Sequence, residues 1–419
     1  MKKTLLLTVC IFSCCLLLQP TVAFAQSGWD WITGSNIINK NSIYGSQGVG
    51  SYSITPGARY ASATWKDGSG NFWLYGGWGY PASGGNAMLS DLWEYNIAGN
   101  YWTWVSGSSA SGVGPVYGTK GVPSYTNSPG CRDVAAFWTD ASGNFWLFGG
   151  QPNGGGGSYY NDLWKYNITL GQWAWMSGDN TVNHNGVYGT QGTPAGTNKP
   201  GGNQGAVGWT DASDNLWLFG GRGYPSSGGT GVLNDVWEYN TVSGEWTWMN
   251  GNNAVSTPGV YGTLGTAAAA NTPGGRYGDV TWTDASGKFW LFGGFPDLSG
   301  VDFLNDLWKY DPGTNNWTWM SGDNTMNKNG VYGTKCTSAS TNKPGSRYLP
   351  QGCTDASGNF WLFGGLGFSA SGGSNGGQNR LNDLWKYDGS NWTWVGGDST
   401  IDVNGVYGTK GIAAEKVSV

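Results

Sequence analysis

A short apolar run flanked by glycines recurs along the chain at a constant step. It reads GNFWLFGG at 143–150, and its close copies lie at 70–77, 214–221, 287–294 and 358–365. The tryptophans of these runs follow one another at steps of 73, 71, 73 and 71 residues. A constant step of this kind predicts a repeat architecture. We therefore expect one domain of five similar units, although 419 residues would usually suggest two or three domains.

Each unit contains four segments with the pattern of short strands. The first follows a Pro-Gly pair, as in PGCRDVAAFW at 129–138, and a tight turn at 139–144 leads to the second. The second, Phe145–Phe148, is apolar on both faces, so it must be covered on both sides. The third is NDLWKY at 161–166, and the fourth is WAW at 173–175.

The fourth segment alternates, which indicates an outer strand. In WTW at 102–104, Trp102 and Trp104 share one face while Thr103 takes the other, so we expect this strand to be half exposed. Four short strands repeated five times predict an all-β propeller of five four-stranded blades.

The residues at the strand ends resemble those of the kelch family, of the kind seen in the central propeller domain of galactose oxidase. The resemblance rests on the Gly-Gly pair that ends the second strand, on a third-strand tyrosine and on a tryptophan seven positions later. These last two are Tyr95 with Trp102, Tyr166 with Trp173, Tyr239 with Trp246, and Tyr310 with Trp317. Tyr387 and Trp392 are two residues closer, so the fifth unit departs from the pattern. The resemblance implies a kelch-like β-propeller.

The units are longer than the roughly 50 residues usual for kelch repeats. The excess lies between the fourth strand of one unit and the first strand of the next, where a GVYGT-like motif recurs with little variation. We expect its tyrosine to pack the long loop onto a neighbour. These tyrosines are Tyr44, Tyr117, Tyr188, Tyr261, Tyr332 and Tyr407.

The pattern divides the chain into a leader, an extra strand with a loop, the propeller and a tail, at 1–25, 26–55, 56–411 and 412–419. The extra strand, Trp29-Asp30-Trp31, has no blade before it and should pair somewhere, because an isolated edge strand invites aggregation. If it lies beside the last blade, the propeller has five blades. The alternative is an incomplete six-bladed ring.

The first 25 residues have the pattern of a cleaved signal peptide. Lys2 and Lys3 precede an apolar run that is too short to remain as a membrane span, and Ala23-Phe24-Ala25 fits a cleavage site before Gln26. We expect a secreted, periplasmic or cell-surface protein with no membrane insertion after cleavage. A lipoprotein acylated at Cys14 or Cys15 is the alternative.

The composition of the chain restricts the classes of partner and of site that we expect. The net charge is −5, from 21 basic and 26 acidic residues without a basic run, which argues against nucleic acid and anionic membranes. Outside the leader, Cys131, Cys336 and Cys353 are odd in number and widely spaced, so they form neither a disulfide framework nor a zinc site. A bridge from Cys336 to Cys353 stays open.

Propeller topology places two kinds of connection on one face, which we call the long-loop face. These are the connections from the second to the third strand and from the fourth strand to the next unit, and they hold nearly all the extra length. Binding sites usually lie on long loops held by a rigid scaffold. We therefore predict that ligands bind on the long-loop face.

Arginines open four of the five first strands, and Asn203 takes that place in the third unit. The kelch resemblance implies that they line the mouth of a central channel, where they would donate to an acidic or polyhydroxylated ligand. The alternative is that they bind glycine-rich backbone carbonyls. The residues at these positions are Arg59, Arg132, Asn203, Arg276 and Arg347. Other differences between units on that face are Asp133, Gln204, Arg222, Asp279, Asp302 and Arg380.

Aromatic side chains on this face could stack on sugars, and we expect Tyr80, Tyr224 and Phe368 to be exposed there. Asp140, Ser142 and Asn144 have part of a calcium-loop spacing but lack its central glycine and distal glutamate, so they indicate a hairpin turn. The single histidine, His184, cannot supply the two copper ligands of a galactose oxidase or a catalytic triad.

Together these features predict a monomeric, non-catalytic recognition module with no metal or cofactor, whose partner is a glycan or a protein. The proposed binding residues are Arg59, Arg132, Asn203, Gln204, Arg276, Arg347, Tyr80, Tyr224 and Phe368. The alternative is a hydrolase or lyase that acts on glycans with loop carboxylates, because a pair of carboxylates close in space leaves no mark on the sequence.

Overall fold

The computed structural model describes residues 29–152, 156–373 and 379–412. The predicted signal peptide at 1–25 and residues 413–419 of the predicted tail lie outside these ranges. The regular secondary structure in the described ranges is β-strand. These ranges contain no helix of the length and apolarity that a membrane span requires.

The strands form five antiparallel blades of a β-propeller, as the repeat predicts. In each blade the strands lie side by side in chain order, from first to fourth. Blade one contains Arg59–Tyr60, Ala63–Lys66, Phe72–Gly79, Ala87–Asn96 and Tyr101–Ser106. Blade two contains Arg132–Asp133, Ala136–Thr139, Phe145–Phe148, Gln151–Pro152, Leu163–Asn167 and Gln172–Ser177.

Blades three to five repeat this plan. Blade three contains Asn203–Gln204, Val207–Thr210, Leu216–Gly223, Gly231–Asn240 and Glu245–Asn250. Blade four contains Val280–Thr283, Phe289–Phe292, Leu307–Asp311 and Asn316–Ser321. Blade five contains Arg347–Tyr348, Gln351–Thr354, Phe360–Gly367, Arg380–Tyr387 and Trp392–Gly396.

The chain divides into two compact units. The first holds Thr33–Thr230 and Asp235–Ala254, which include blades one and two and most of blade three. The second holds Gly231–Asn234 and, of the described residues, 29–32, 255–373 and 379–412.

The core of the first unit consists of aromatic side chains packed between successive blades. Phe145 to Phe148 are each at most 1% exposed, which confirms that the second strand is covered on both faces. Trp65 of blade one stacks on Phe145 with 5.1 Å between ring centroids. Trp138 donates its indole N–H to the carbonyl of Trp217 in blade three at 2.9 Å. A Cβ at Gly208 would lie 2.1 Å from that indole nitrogen, so only glycine permits this approach.

Blades four and five pack in the same way within the second unit. Trp282 of blade four stacks on Phe360 of blade five with 5.3 Å between ring centroids. Its indole donates to the carbonyl of Trp361 at 3.2 Å. The kelch-like tyrosine and tryptophan are also in contact, and even the shortened pair, Tyr387 and Trp392, keeps a centroid distance of 5.0 Å.

A kink divides the first strand of most blades into two short pieces. Its residue has positive φ, as at Ala61 (56°) and Val134 (50°), which is strained for a residue other than glycine. Backbone hydrogen bonds between blades hold the kinks: Val134 N–H donates to Ala61 at 3.0 Å, and Gly205 N–H donates to Val134 at 2.7 Å. The beginnings of the first strands are thereby fixed to one another.

The long connections cover the outer strands, so the prediction of a half-exposed fourth strand is wrong for its threonine face. Gly50 and Ser51 pair with Thr103 and Trp102, and Thr103 is 8% exposed. In the other blades the connection that precedes the blade makes the same contact through an isolated bridge, as between Ser124 and Trp173. Much of the extra length therefore protects sheet edges.

The extra segment at residues 29–31 lies beside the last blade. The ring of Trp29 is 4.8 Å from that of Phe363, and the carbonyl of Trp31 accepts a hydrogen bond from Gly411 N–H at 2.8 Å. Tyr407 packs edge-on against Trp31 with 5.4 Å between centroids. The last GVYGT-like loop thus contacts Trp31 as the earlier loops contact the fourth strands of their blades.

Candidate functional site

A buried aspartate, on the third strand or directly before it, anchors each blade. It accepts hydrogen bonds from the indole two residues later and from the tyrosine of the preceding GVYGT-like loop. The tyrosine pairs are Tyr44–Asp91 at 2.7 Å, Tyr117–Asp162 at 2.9 Å, Tyr188–Asp235 at 2.6 Å, Tyr261–Asp306 at 2.8 Å and Tyr332–Asp383 at 2.6 Å. These contacts confirm that the repeated tyrosine packs the long loop onto a blade.

The four first-strand arginines pair with the same aspartates. The shortest N–O distances are 2.6 Å for Arg59–Asp91, 2.7 Å for Arg132–Asp162, 2.7 Å for Arg276–Asp306 and 2.8 Å for Arg347–Asp383, with side chains at most 3% exposed. Each arginine also donates to the first glycine carbonyl of the Gly-Gly pair, at Gly76, Gly149, Gly293 and Gly364. This geometry favours the structural alternative, while the ligand-binding role stays a prediction.

Blade three lacks the arginine and shows what it contributes. The amide of Asn203 replaces it in donating to Gly220 O at 2.7 Å, but no cation of the described residues pairs with Asp235. Burial raises the pKa of Asp235 to about 6, although hydrogen bonds from Tyr188 and Trp237 oppose the rise. In blade one, burial also acts to raise the pKa of Asp91, but Arg59 and the hydrogen bonds hold it below its ordinary value. The substitution at Asn203 therefore leaves an uncompensated buried carboxyl group.

The three predicted aromatics differ in exposure. Phe368 is 5% exposed and lies among Phe295, Phe303 and other apolar side chains, so the expectation that it is exposed is wrong. Tyr80 and Tyr224 are half-buried. The backbone N–H of Tyr80 donates to Ala58 at 3.0 Å. Burial in an aromatic cluster leaves Phe368 no face for stacking on a sugar.

Tyr224 borders a cleft on the long-loop face of the first unit. The cleft has a volume of 620 Å³ and is lined by Gln151, Gly156, Gly157, Tyr159, Arg222, Tyr224, Gly229 and Thr230. The rings of Tyr159 and Tyr224 meet nearly edge-to-face, with 6.2 Å between centroids. The guanidinium of Arg222 lies over Tyr159, 6.0 Å from its ring centroid.

Arg222 is the charged group of this cleft, and its environment differs from that of the first-strand arginines. No described carboxylate forms an ion pair with it. Its Nε is buried and has no hydrogen-bond partner among the described residues. A half-buried guanidinium without an anion is costly, so this cation is available to a ligand.

Two further polar side chains lie next to the lining residues on paired strands. Gln204 is opposite Arg222, and Asp133 is opposite Gln151. Each is 9% exposed, and Gln204 Oε1 and Asp133 Oδ1 have no hydrogen-bond partner among the described residues. Burial raises the pKa of Asp133 to about 7. The cleft thus adjoins side chains with unused hydrogen-bonding capacity.

The other differences between units do not join this cleft. Asp279 is 6% exposed, and burial raises its pKa to about 8, although Arg276 opposes the rise. Asp302 accepts a hydrogen bond from Asn327 at 2.6 Å. The backbone N–H of Arg380 donates to Asp402 at 3.2 Å. Asp279, Asp302 and Arg380 belong to the second unit.

The structure also tests the predicted hairpin turn at Asp140 and the possible bridge between two cysteines. Asp140 accepts hydrogen bonds from Asn144 and Trp146, as the hairpin turn requires. Cys336 and Cys353 both lie in the described ranges and are not bridged to each other.

Sequence reasoning missed Gln151 and Tyr159 as cleft residues. Tyr159 occupies a position that is Met88, Val232 and Phe303 in other units, so its break in the repeat was a usable signal.

The five similar blades define a repeat β-propeller. A model of the Kelch motif matches residues 279–324, which contain blade four. Together with the five-blade arrangement, this match supports a kelch-repeat β-propeller. A comparison with curated proteins gives no match.

Proposed function

We propose that this protein is an exported, non-catalytic recognition module that binds a glycan or a protein through its long-loop face. Kelch propellers commonly serve as protein-binding modules. The leader pattern of the first 25 residues supports export.

The observation that carries the proposal is the cleft around Arg222. Clefts that bind ligands combine apolar or aromatic walls with a few polar groups. Tyr224 supplies an aromatic wall in contact with the buried ring of Tyr159, while Gln151, Arg222 and Thr230 supply polar groups. Buried aspartates neutralise Arg59 and Arg132, whereas Arg222 forms no ion pair with a described carboxylate.

The test is binding of purified protein to a glycan array and to a protein array, with Arg222→Ala as the variant. Lys66→Ala is the matched control, because it removes one positive charge at the opposite end of blade one, where Lys66 is exposed. We expect to find ligands that Lys66→Ala binds as the wild type does. Arg222→Ala should bind the same ligands at least about tenfold more weakly, which is a loss of about 1.4 kcal/mol of binding free energy. Binding that Arg222→Ala leaves unchanged would contradict the proposal.

The rival function is glycan cleavage, and Asp133 is the observation in its favour. A carboxyl group with a pKa near 7 suits a general acid, and Asp133 adjoins the cleft. Incubating the array's glycans with the protein and measuring released reducing sugar tests this function. We expect no release, whereas turnover that disappears in Asp133→Asn would establish the enzyme.

A further inference from the structure

We propose that the Arg222 cleft binds a saccharide that carries a carboxylate, with Arg222 as its anion partner and Tyr224 as its stacking surface. This inference rests on the proposed function and names the ligand class of the same site.

Arginines within the first unit differ in whether they are paired with a carboxylate. Arg59 and Arg132 each donate two hydrogen bonds to a carboxylate, through both terminal nitrogens. Arg222 has no such carboxylate among the described residues. The fork of a guanidinium matches a carboxylate in geometry, so a ligand carboxylate would complete the pairing that Arg59 and Arg132 already have.

The surroundings favour a local anion contact over a general electrostatic attraction. The whole protein has a net charge of −5, which repels anions at long range. No lysine lines the cleft beside Arg222. Binding of an acidic polypeptide depends on several adjacent cations, and the residues that line this cleft include one cation, Arg222.

The walls favour a sugar ring. Tyr224 is half-buried and lines the cleft, and an aromatic ring at a cleft wall is a surface on which the C–H groups of a pyranose can pack. The side chains of Gln151 and Thr230 can donate and accept hydrogen bonds with hydroxyl groups. Gly229 lines the cleft at an exposed position and has no atom within 4 Å of where its Cβ would lie, so there is room beside it for a ligand.

The experiment compares oligosaccharides that carry galacturonate, glucuronate or sialic acid with their methyl esters, which keep the sugar and remove the charge. Affinities are measured by calorimetry. We expect at least one acid to bind at least tenfold more tightly than its ester, and Arg222→Ala to abolish that preference.

A second variant tests the location without touching the charge. Gly229→Leu places a bulky side chain in the open space beside the cleft, and Gly229 does not have positive φ, so the substitution needs no backbone change. Gly68→Leu is its control, because Gly68 also has open space around its Cβ and lies in the turn at the other end of blade one. We expect Gly229→Leu to lose binding and Gly68→Leu to retain it.

The outcomes separate this inference from the proposed function. Equal affinity for acid and ester, with Gly229→Leu still abolishing binding, overturns the carboxylate assignment and leaves a recognition cleft. Tighter binding of poly-glutamate than of every acidic sugar also overturns it, in favour of an acidic protein partner. If no carboxylated sugar binds, the inference fails even where a neutral glycan or a protein is found on the arrays.

Discussion

Restoring the missing arginine of blade three should change how stability depends on pH. Asp235 lies in a buried site without a cation, and its pKa is raised to about 6 from an ordinary value of 3.8. One pKa unit corresponds to about 1.4 kcal/mol, so keeping Asp235 ionised at pH 7 costs roughly 3 kcal/mol. Because the folded state binds this proton more tightly than the unfolded state, this cost develops as the pH rises from about 4 to about 6.

Asn203→Arg places a guanidinium where Arg59 and Arg132 have theirs in blades one and two. In the wild type the side-chain amide of Asn203 donates to Gly220 O, and this carbonyl becomes the acceptor for the new guanidinium. The difference in unfolding free energy between variant and wild type should shift by roughly 3 kcal/mol in favour of the variant as the pH rises from 4 to 7. At pH 7 the net gain should be about 1–2 kcal/mol, since burying the new cation offsets part of it.

The assay is urea unfolding followed by tryptophan fluorescence at several pH values between 4 and 8. Taking the difference between variant and wild type at each pH cancels the titration of other groups. Arg59→Asn is the reciprocal control. The depressed pKa of Asp91 contributes stability that is present at neutral pH and lost on acidification, so this variant should lose about 3–5 kcal/mol at pH 7 and less in acid. A difference between Asn203→Arg and wild type that does not vary with pH would refute the reasoning.

Three further predictions concern stability. Trp146→Ala should lower the free energy of unfolding by roughly 3–5 kcal/mol, because Trp146 is 1% exposed and donates to Asp140; a loss below 1 kcal/mol in the same urea assay would contradict its core role. Tyr332→Phe should cost about 1.5–3 kcal/mol of unfolding free energy, because it removes a donor to the buried carboxylate of Asp383. Tyr188→Phe should cost more, since Asp235 is not paired with an arginine of the described residues. Equal losses would contradict the stabilising role of these tyrosine–aspartate hydrogen bonds. Trp29→Ala should cost about 1–3 kcal/mol through its contact with Phe363, measured by thermal unfolding, and an unchanged midpoint would show that this contact is not stabilising.

The blades could be predicted because each local signal agreed with the others. The run at 143–150 is apolar on both faces, turns flank it, and it recurs at a constant step, so no alternative placement buries its aromatics. The tyrosine of the GVYGT-like motif was also predictable, since a motif that barely varies between units suits packing better than recognition. The cover that the long connections give to the outer strands was not, because it depends on which blade a glycine-rich loop crosses.

The site was harder to predict, since pairing in space decides which charges are available. Arg59 and Arg222 are both arginines near the Gly-Gly pair, but Asp91 neutralises the first and no described carboxylate neutralises the second. Only the three-dimensional positions of the aspartates separate them. Phe368 occupies the same loop position as Tyr224, but apolar neighbours such as Phe303 bury it.

The most direct measurement of the central claim is a crystal structure of the protein with the tightest-binding acidic oligosaccharide. We predict electron density for a carboxylate about 3 Å from the guanidinium of Arg222 and for a sugar ring against Tyr224. Ligand density at another place on the blades, with the cleft around Arg222 empty, would contradict it.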